Sequence, residues 1–375
     1  MSAKKLTPPL LLVGAGADAL DVRYASGFDA PDPFLFLLDG ETAAVVVSIL
    51  EAGRALRQKP PLEVITLPSL NLPREEARSL GAQAVALLQG RKAAAVRVSE
   101  RCPVKIVRDL EAAGIEVQIQ PDPLFPQRIR KRADELRALE QSQRAAVAAM
   151  KRAIAVLQAA ETDARGRLIW ENSVLTSERV RAEIDLTLLR ANCMAEETIV
   201  AGGDQATDPH ERGSGPLLAG QPIVLDIFPR HKSTGYWGDI TRTVLKGSPT
   251  AAQRKLYQTV KRAQLAALRA VAPGVTGAAI HERVCQEFAL AGYETGLHRG
   301  VHQGFIHSTG HGVGLEIHEA PGISPLGGPL EPGMVITIEP GLYYPGVGGV
   351  RIEDTVVVTE TGSRILATCP KVFVL

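Results

Sequence analysis

Four acidic residues stand in segments that otherwise read as apolar strands. Asp226 lies in Ile223-Val-Leu-Asp-Ile-Phe and Asp239 in Tyr236-Trp-Gly-Asp-Ile-Thr-Arg-Thr. Glu339 ends Val335-Ile-Thr-Ile-Glu-Pro-Gly, and Glu353 lies in Val350-Arg-Ile-Glu-Asp. A carboxylate is expensive to bury unless something compensates its charge. A surface position or an Arg partner explains one such residue; four, together with the histidines, point to cations. Hard oxygen donors suit divalent ions, and several carboxylates can bridge two of them. Five of the eight histidines fall between His298 and His318, around His307-Ser-Thr-Gly-His-Gly-Val-Gly-Leu-Glu-Ile-His-Glu. The spacing of His307 and His311 would hold zinc on a helix, but Gly310, Gly312 and Gly314 oppose a helix there. Position 308 is Ser, where a zincin carries Glu. A glycine-rich turn is expected instead, bringing backbone and imidazoles close to a site. His210, in Asp208-Pro-His-Glu, stands apart in the same half. Strand residues i and i+2 share a face, which places Arg351 with Glu353 and Thr241 with Asp239. Both fit a second layer around metal ligands or a clamp for a substrate carboxylate.

The carriers of these residues belong to the second half of the chain. Over residues 1–125, apolar strands (10–13, 34–38, 43–50, 62–67, 94–98, 115–119) alternate with helical patterns (74–88, 104–113), which predicts an α/β domain. The run Pro121-Asp-Pro-Leu-Phe-Pro marks its end. A helix uninterrupted by Gly or Pro follows, and residues 126–160 read as a bridge. Residues 161–375 then form the domain that carries the chemistry. Helices are expected near 176–194, with Thr176 as cap, and at 251–271 and 276–290. Strands are expected at 199–202, 223–228, 236–244, 334–339 and 351–358. Helix pairs flanked by strands imply an α+β arrangement on a largely antiparallel sheet.

Lys plus Arg is 42 and Asp plus Glu is 41, a net charge of +1. That balance leaves no footprint for nucleic acid or an anionic membrane. The basic run Arg128, Arg130, Lys131, Arg132 reads as the solvated face of a helix. No apolar stretch approaches the length of a membrane span. Lys4 and Lys5 before Leu10–Val13 imitate a leader, but Pro8 and Pro9 interrupt it. The four cysteines, Cys102, Cys193, Cys285 and Cys369, are far apart and form no CxxC, so a reduced, cytoplasmic enzyme is expected. Gly14-Ala-Gly-Ala-Asp-Ala matches a nucleotide-binding fingerprint, but the segment after it has poor helical periodicity, which disfavours an oxidoreductase.

On these motifs the sequence resembles the pita-bread metallopeptidases: Xaa-Pro dipeptidase (prolidase), Xaa-Pro aminopeptidase and methionine aminopeptidase. The words Asp239-Ile-Thr-Arg-Thr, His307-Ser-Thr-Gly-His-Gly, Thr337-Ile-Glu-Pro-Gly and Arg351-Ile-Glu carry the resemblance. Asp21-Val-Arg-Tyr-Ala-Ser-Gly-Phe resembles the creatinase-type N-terminal domain of the Xaa-Pro members. The resemblance implies two divalent ions, manganese expected with cobalt or zinc as alternatives, held by Asp226, Asp239, His311, Glu339 and Glu353. It implies Asp239 and Glu353 as bridging ligands and a bridging water activated as hydroxide. Glu339 would also shuttle a proton, His318 and His210 would hydrogen-bond the substrate or the tetrahedral intermediate, and His307 would line the pocket. Arg351 and the long N-terminal domain select the Xaa-Pro branch, whose substrates are small peptides with proline after the scissile bond. Chain length leans to the dipeptidase over the aminopeptidase. A homodimer is expected on the same basis. A non-catalytic binding module is disfavoured because all five ligands are present, and creatinase because it lacks them. One departure is the 13-residue step from Asp226 to Asp239, about two residues longer than the family's. The extra residues are placed in the loop Pro229-Arg-His-Lys-Ser-Thr-Gly, where lengthening costs little, so they bear on substrate preference more than on metal binding.

Overall fold

The computed structural model describes residues 7–298 and 300–375; Lys4 and Lys5 of the leader-like stretch lie outside the described residues. The chain divides into two compact units, Met1–Pro126 and Gln127–Leu375.

The first unit is built on a six-stranded mixed sheet. Its order is Glu63–Thr66, Thr42–Val47, Leu35–Asp39, Leu10–Val13, Ala95–Ser99, Glu116–Gln120. Burial on both faces explains the unbroken apolar run of its central strand. Leu11 and Val13 join Leu87 and Leu110 in one core, while Leu10 and Leu12 join Phe28 and Phe36 in another. The strand expected over 43–50 stops at Val47, and Ile49–Ala55 is a helix. Ile49 and Leu50 are exposed there, surface aliphatics that mimic a longer strand. The helix expected from Arg74 starts at Leu80, where Ser79 Oγ accepts the Ala82 N–H at 3.3 Å; the cap, not Pro73, sets the boundary. The fingerprint-like glycines lead into a short 3-10 turn, Gly16–Asp18, and then the helix Ala19–Ser26, which the sequence pattern did not reveal.

The second unit contains two helix pairs, each packed on antiparallel strands. The helices Ala133–Ala159 and Ser177–Arg190 share a core with the sheet Ile199–Gly202, Pro222–Ile227, Ile240–Leu245. The helices Ala251–Ala270 and Gly277–Leu290 share another with a five-stranded sheet. That sheet runs Glu319–Ile323, Gly310–Gly312, Val335–Ile338, Asp354–Val358, Ser363–Ile365. A hairpin, Gly341–Tyr344 with Gly348–Arg351, completes the arrangement. The architecture is α+β, as expected. The long helix lies within this unit: Ala146, Met150, Ala153 and Leu157 pack in the same core as Leu225 and Ile240. It starts at Ala133, inside the expected 126–160 span, because Pro126–Ile129 is a 3-10 turn and the Glu135 carboxylate accepts the Arg132 N–H at 2.9 Å. Thr176 caps its helix as expected, accepting the Arg179 N–H at 3.3 Å.

Candidate metal centre

The strand Ile240–Leu245 meets the hairpin strand Gly348–Arg351 and the residues that follow it. Glu353 N–H donates to Thr241 O at 3.0 Å, and Thr243 Oγ1 donates to Arg351 O at 2.9 Å. A cavity of about 610 Å³ opens at this seam. Asp226, Asp239, His311, Glu339 and Glu353 all line it, as do His210, His307, His318 and Arg351. Ile199, Phe228, Ile306 and Ile317 supply apolar wall.

Of the four carboxylates, only Asp226 sits inside a regular strand, opposite Thr241. Asp239 immediately precedes Ile240–Leu245, Glu339 follows Val335–Ile338, and Glu353 occupies the break between Gly348–Arg351 and Asp354–Val358. The single strand expected over 351–358 is therefore two. Only part of the glycine-rich segment turns: Gly310–Gly312 is a strand, paired with Glu319–Ile323 and Val335–Ile338, and Gly314 opens the bend that follows it. Glycine is required because a Cβ at 310 would lie 2.0 Å from the Thr337 carbonyl oxygen, and one at 312 would lie 2.3 Å from that of Ala320.

Each ligand candidate is held by a second layer. Gln143, in the long helix, accepts the Asp239 N–H at 2.8 Å and donates to its carbonyl at 2.7 Å. Thr355 Oγ1 donates to the same carbonyl at 2.8 Å. Thr241 Oγ1 donates to Glu353 Oε2 at 2.8 Å, so Thr241 serves Glu353 rather than Asp239, with which strand alternation had grouped it. Arg351 Nη2 donates to Asp226 Oδ2 at 2.6 Å and Nη1 to Tyr343 Oη at 2.8 Å. Arg351 thus holds a carboxylate of the chain itself. His311 Nδ1 lies 3.1 Å from Gly312 O; donating there, it leaves Nε2 facing Glu339 Oε1 at 3.2 Å and Asp239 Oδ2 at 3.7 Å. Thr337 Oγ1 accepts the His311 N–H at 3.0 Å and donates to Glu339 Oε1 at 3.1 Å. His307 Nδ1 faces Ser308 O at 2.7 Å and Nε2 faces Tyr343 Oη at 2.8 Å. His318 stands edge-on to His311, with ring centroids 4.3 Å apart, and His210 is exposed on the rim.

The electrostatics are those of a site built for cations. Burial, then the neighbouring carboxylates Glu353, Asp226 and Glu339, push Asp239 well above the usual carboxylate range. Burial, then Glu339 and Asp226, do the same to Glu353. Burial alone would raise Glu339, but its bond to His311 and the nearby positive charges hold it at about 2. Burial opposes the charge on His311, yet Glu339 raises it to about 9. Two buried carboxylate oxygens, Asp226 Oδ1 and Glu353 Oε1, have no hydrogen-bond partner. Donor atoms of Asp239, His311 and Glu353 lie within 4.8 Å of one another. Orphaned acceptors converging with carboxylates that resist ionisation fit a divalent ion, which supplies the missing positive charge.

The second layer contains residues that sequence reasoning missed. Thr337 carried a usable signal, two residues before Glu339 on one strand face. Tyr343 and Gln143 carried none: an aromatic in a hairpin and a polar residue in a long helix do not declare their partners.

A carboxylate-rich centre with one imidazole, sunk in a cavity, has the donor set that divalent ions take. Comparison with known proteins agrees. The profile of metallopeptidase family M24 matches residues 137–360. The Xaa-Pro dipeptidase of Pyrococcus furiosus is 43% identical over 177 residues, 46% of this chain and 47% of that one, so the match spans about half of that relative. The Xaa-Pro dipeptidase of Pyrococcus horikoshii is 31% identical over 353 residues, 92% of this chain and 90% of that one. The structure of the X-Pro aminopeptidase from Thermotoga maritima superposes with a TM-score of 0.82 at 25% identity, covering 98% of this chain and 97% of that one. The chain belongs to metallopeptidase family M24.

Proposed function

We propose that this protein is a metal-dependent Xaa-Pro dipeptidase, hydrolysing the bond between an N-terminal residue and a following proline. The observation that carries the reading is the convergence of Asp226, Asp239, His311, Glu339 and Glu353 on one cavity, with two buried oxygens unpartnered. The named dipeptidase relatives support the substrate class. Asp226, Asp239, His311, Glu339 and Glu353 would hold two divalent ions, which supply polarisation of the scissile carbonyl and acidification of water. Manganese is the proposed metal, in keeping with oxygen-rich donors and a single imidazole.

The side chains provide the rest. Glu339, hydrogen-bonded by His311 and Thr337, takes the proton released by the attacking water and returns it to the leaving imino nitrogen. His318 and His210 hydrogen-bond the substrate as charge develops on the carbonyl oxygen. Arg351 fixes Asp226 and, through Tyr343, orients His307. The apolar walls Phe228, Ile306 and Ile317 suit the proline ring. We place the enzyme in the cytoplasm as a homodimer; its four cysteines are free thiols, and among the described residues no helix is long and apolar enough to cross a membrane.

The test is hydrolysis of an Xaa-Pro dipeptide against an Xaa-Pro-Yaa tripeptide, after chelation and resupply of manganese, cobalt or zinc. Metal-dependent cleavage of the dipeptide is expected. Cleavage mainly of the tripeptide would establish the aminopeptidase, and cleavage of neither by metal-loaded protein would sink the Xaa-Pro reading.

A further inference from the structure

The basic run that precedes the long helix is solvated only at Arg130 and Arg132. Lys131 is 6% exposed, and its Nζ donates to Glu319 Oε1 at 2.7 Å. Arg128 Nη2 reaches Glu316 Oε2 at 2.8 Å and Glu319 Oε2 at 3.4 Å. The Lys131 backbone is itself fixed, its N–H donating to Gly333 O at 2.8 Å.

Glu319 follows His318, and the loop that carries His318 is folded round its carboxylate. Glu316 N–H donates to Glu319 Oε2 at 3.4 Å. A Cβ at Gly314 would lie 2.4 Å from both Glu319 oxygens, so any side chain there would displace the carboxylate. The far side of the loop is held by Trp237, whose backbone N–H donates to Gly314 O and whose Nε1 donates to Leu315 O, both at 3.0 Å. Burying an ammonium and a carboxylate is costly, and an apolar pair of similar volume is often as stable. Stability therefore gives a weak reason for this ion pair. Its position gives a better one, because it clamps the residue next to His318 to the root of the long helix.

We propose that Lys131 and Glu319 are a positioning pair that sets His318 over the cavity, edge-on to His311. This rests on the reading above in which His318 engages the substrate. The test uses the metal-loaded full chain carrying Lys131→Met with Glu319→Gln, which removes both charges and leaves neither stranded. Expected are melting temperature and metal content at parental values, faster amide hydrogen exchange confined to 313–318, and a fall in kcat on Xaa-Pro dipeptide of about 10²-fold, the scale of a misplaced catalytic group. Parental kcat, or unchanged exchange in 313–318, would overturn the proposal. So would loss of metal, which would place the pair's effect on the centre rather than on His318. If the double variant does not fold, Glu319→Asp keeps both charges but draws the loop inward, and must lower kcat at constant metal content. If the parent cleaves no Xaa-Pro peptide, the functional reading fails, while the exchange measurement still decides the pair.

Discussion

Replacing a proposed metal ligand should stabilise this protein once metal is stripped away. The perturbation is Glu353→Gln. Without a cation, Asp239 and Glu353 sit buried beside other carboxylates, and both are held above the ordinary carboxylate range by burial and by those neighbours. A raised folded-state pKa means that the native state binds a proton more tightly than the unfolded chain. Stability is then full below the unfolded pKa of about 4.3 and falls as pH rises towards the folded pKa. One proton held by the pair costs about 1.4 kcal/mol for each pH unit between the unfolded and folded pKa values. For a domain of this size each such pH unit is roughly 3–6 °C in Tm.

Other groups in the site titrate too. Glu339, held at about 2, adds stability that is lost only as pH falls below about 4.3 and so is constant above it. His311, raised to about 9, adds stability lost as pH rises from about 6.5 through 9. His307 and His318 are lowered, chiefly by burial, and push the other way. The clean quantity is therefore the difference in Tm between chelated parent and chelated Glu353→Gln, scanned calorimetrically from pH 4.5 to 6.5. The variant should match the parent at pH 4.5 and lead by several degrees at pH 6.5, an advantage reversed by excess metal. A gap independent of pH, or a variant less stable throughout, would refute the reasoning.

Other consequences are narrower. Arg351→Met leaves Asp226 buried without its 2.6 Å partner; removing one partner of a buried pair costs about 3–5 kcal/mol, so denaturant unfolding of the chelated variant should show a loss in that range, partly recovered with metal. Thr241→Val removes the hydrogen bond that Thr241 Oγ1 donates to Glu353 Oε2, and metal titration should find affinity weakened about 10-fold or more. Gly310→Ala drives a Cβ to 2.0 Å from the Thr337 carbonyl, so the strand carrying His311 must shift; metal content should fall even though no ligand is altered.

How far the site could be read from sequence follows from what each residue needs. The four carboxylates stood out because a carboxylate in an apolar strand violates the local pattern, and His307 and His311 because they stand among glycines; His210 and His318 took their roles from the family resemblance. All of them line one cavity. The helices that were read well, such as Ser177–Arg190 and Ala251–Ala270, have side-chain caps and long periodic faces. The features misread were those with contrary local signals: exposed Ile49 and Leu50 passing for strand, glycines passing for a turn, and Lys131 passing for surface. Each is settled by a partner distant in sequence, as Lys131 is by Glu319, which no local pattern encodes.

The strand breaks at the site have the same origin. A continuous strand from Arg351 to Val358 would send alternate side chains to opposite faces. In the break, the backbone of Glu353 pairs across the seam instead: its N–H donates to Thr241 O at 3.0 Å, and its carbonyl accepts from Arg242 Nη1. Arg242 is fully buried, and it also donates to Thr241 O at 2.8 Å and to Asp354 Oδ1 at 2.7 Å. One guanidinium thus satisfies the carbonyls on both sides of the seam, which lets the chain leave the ladder without an orphaned backbone group. That release turns Glu353 towards Asp239 and His311. The buried Arg242 is therefore as much a condition of the centre as its ligands are, although it never faces the cavity.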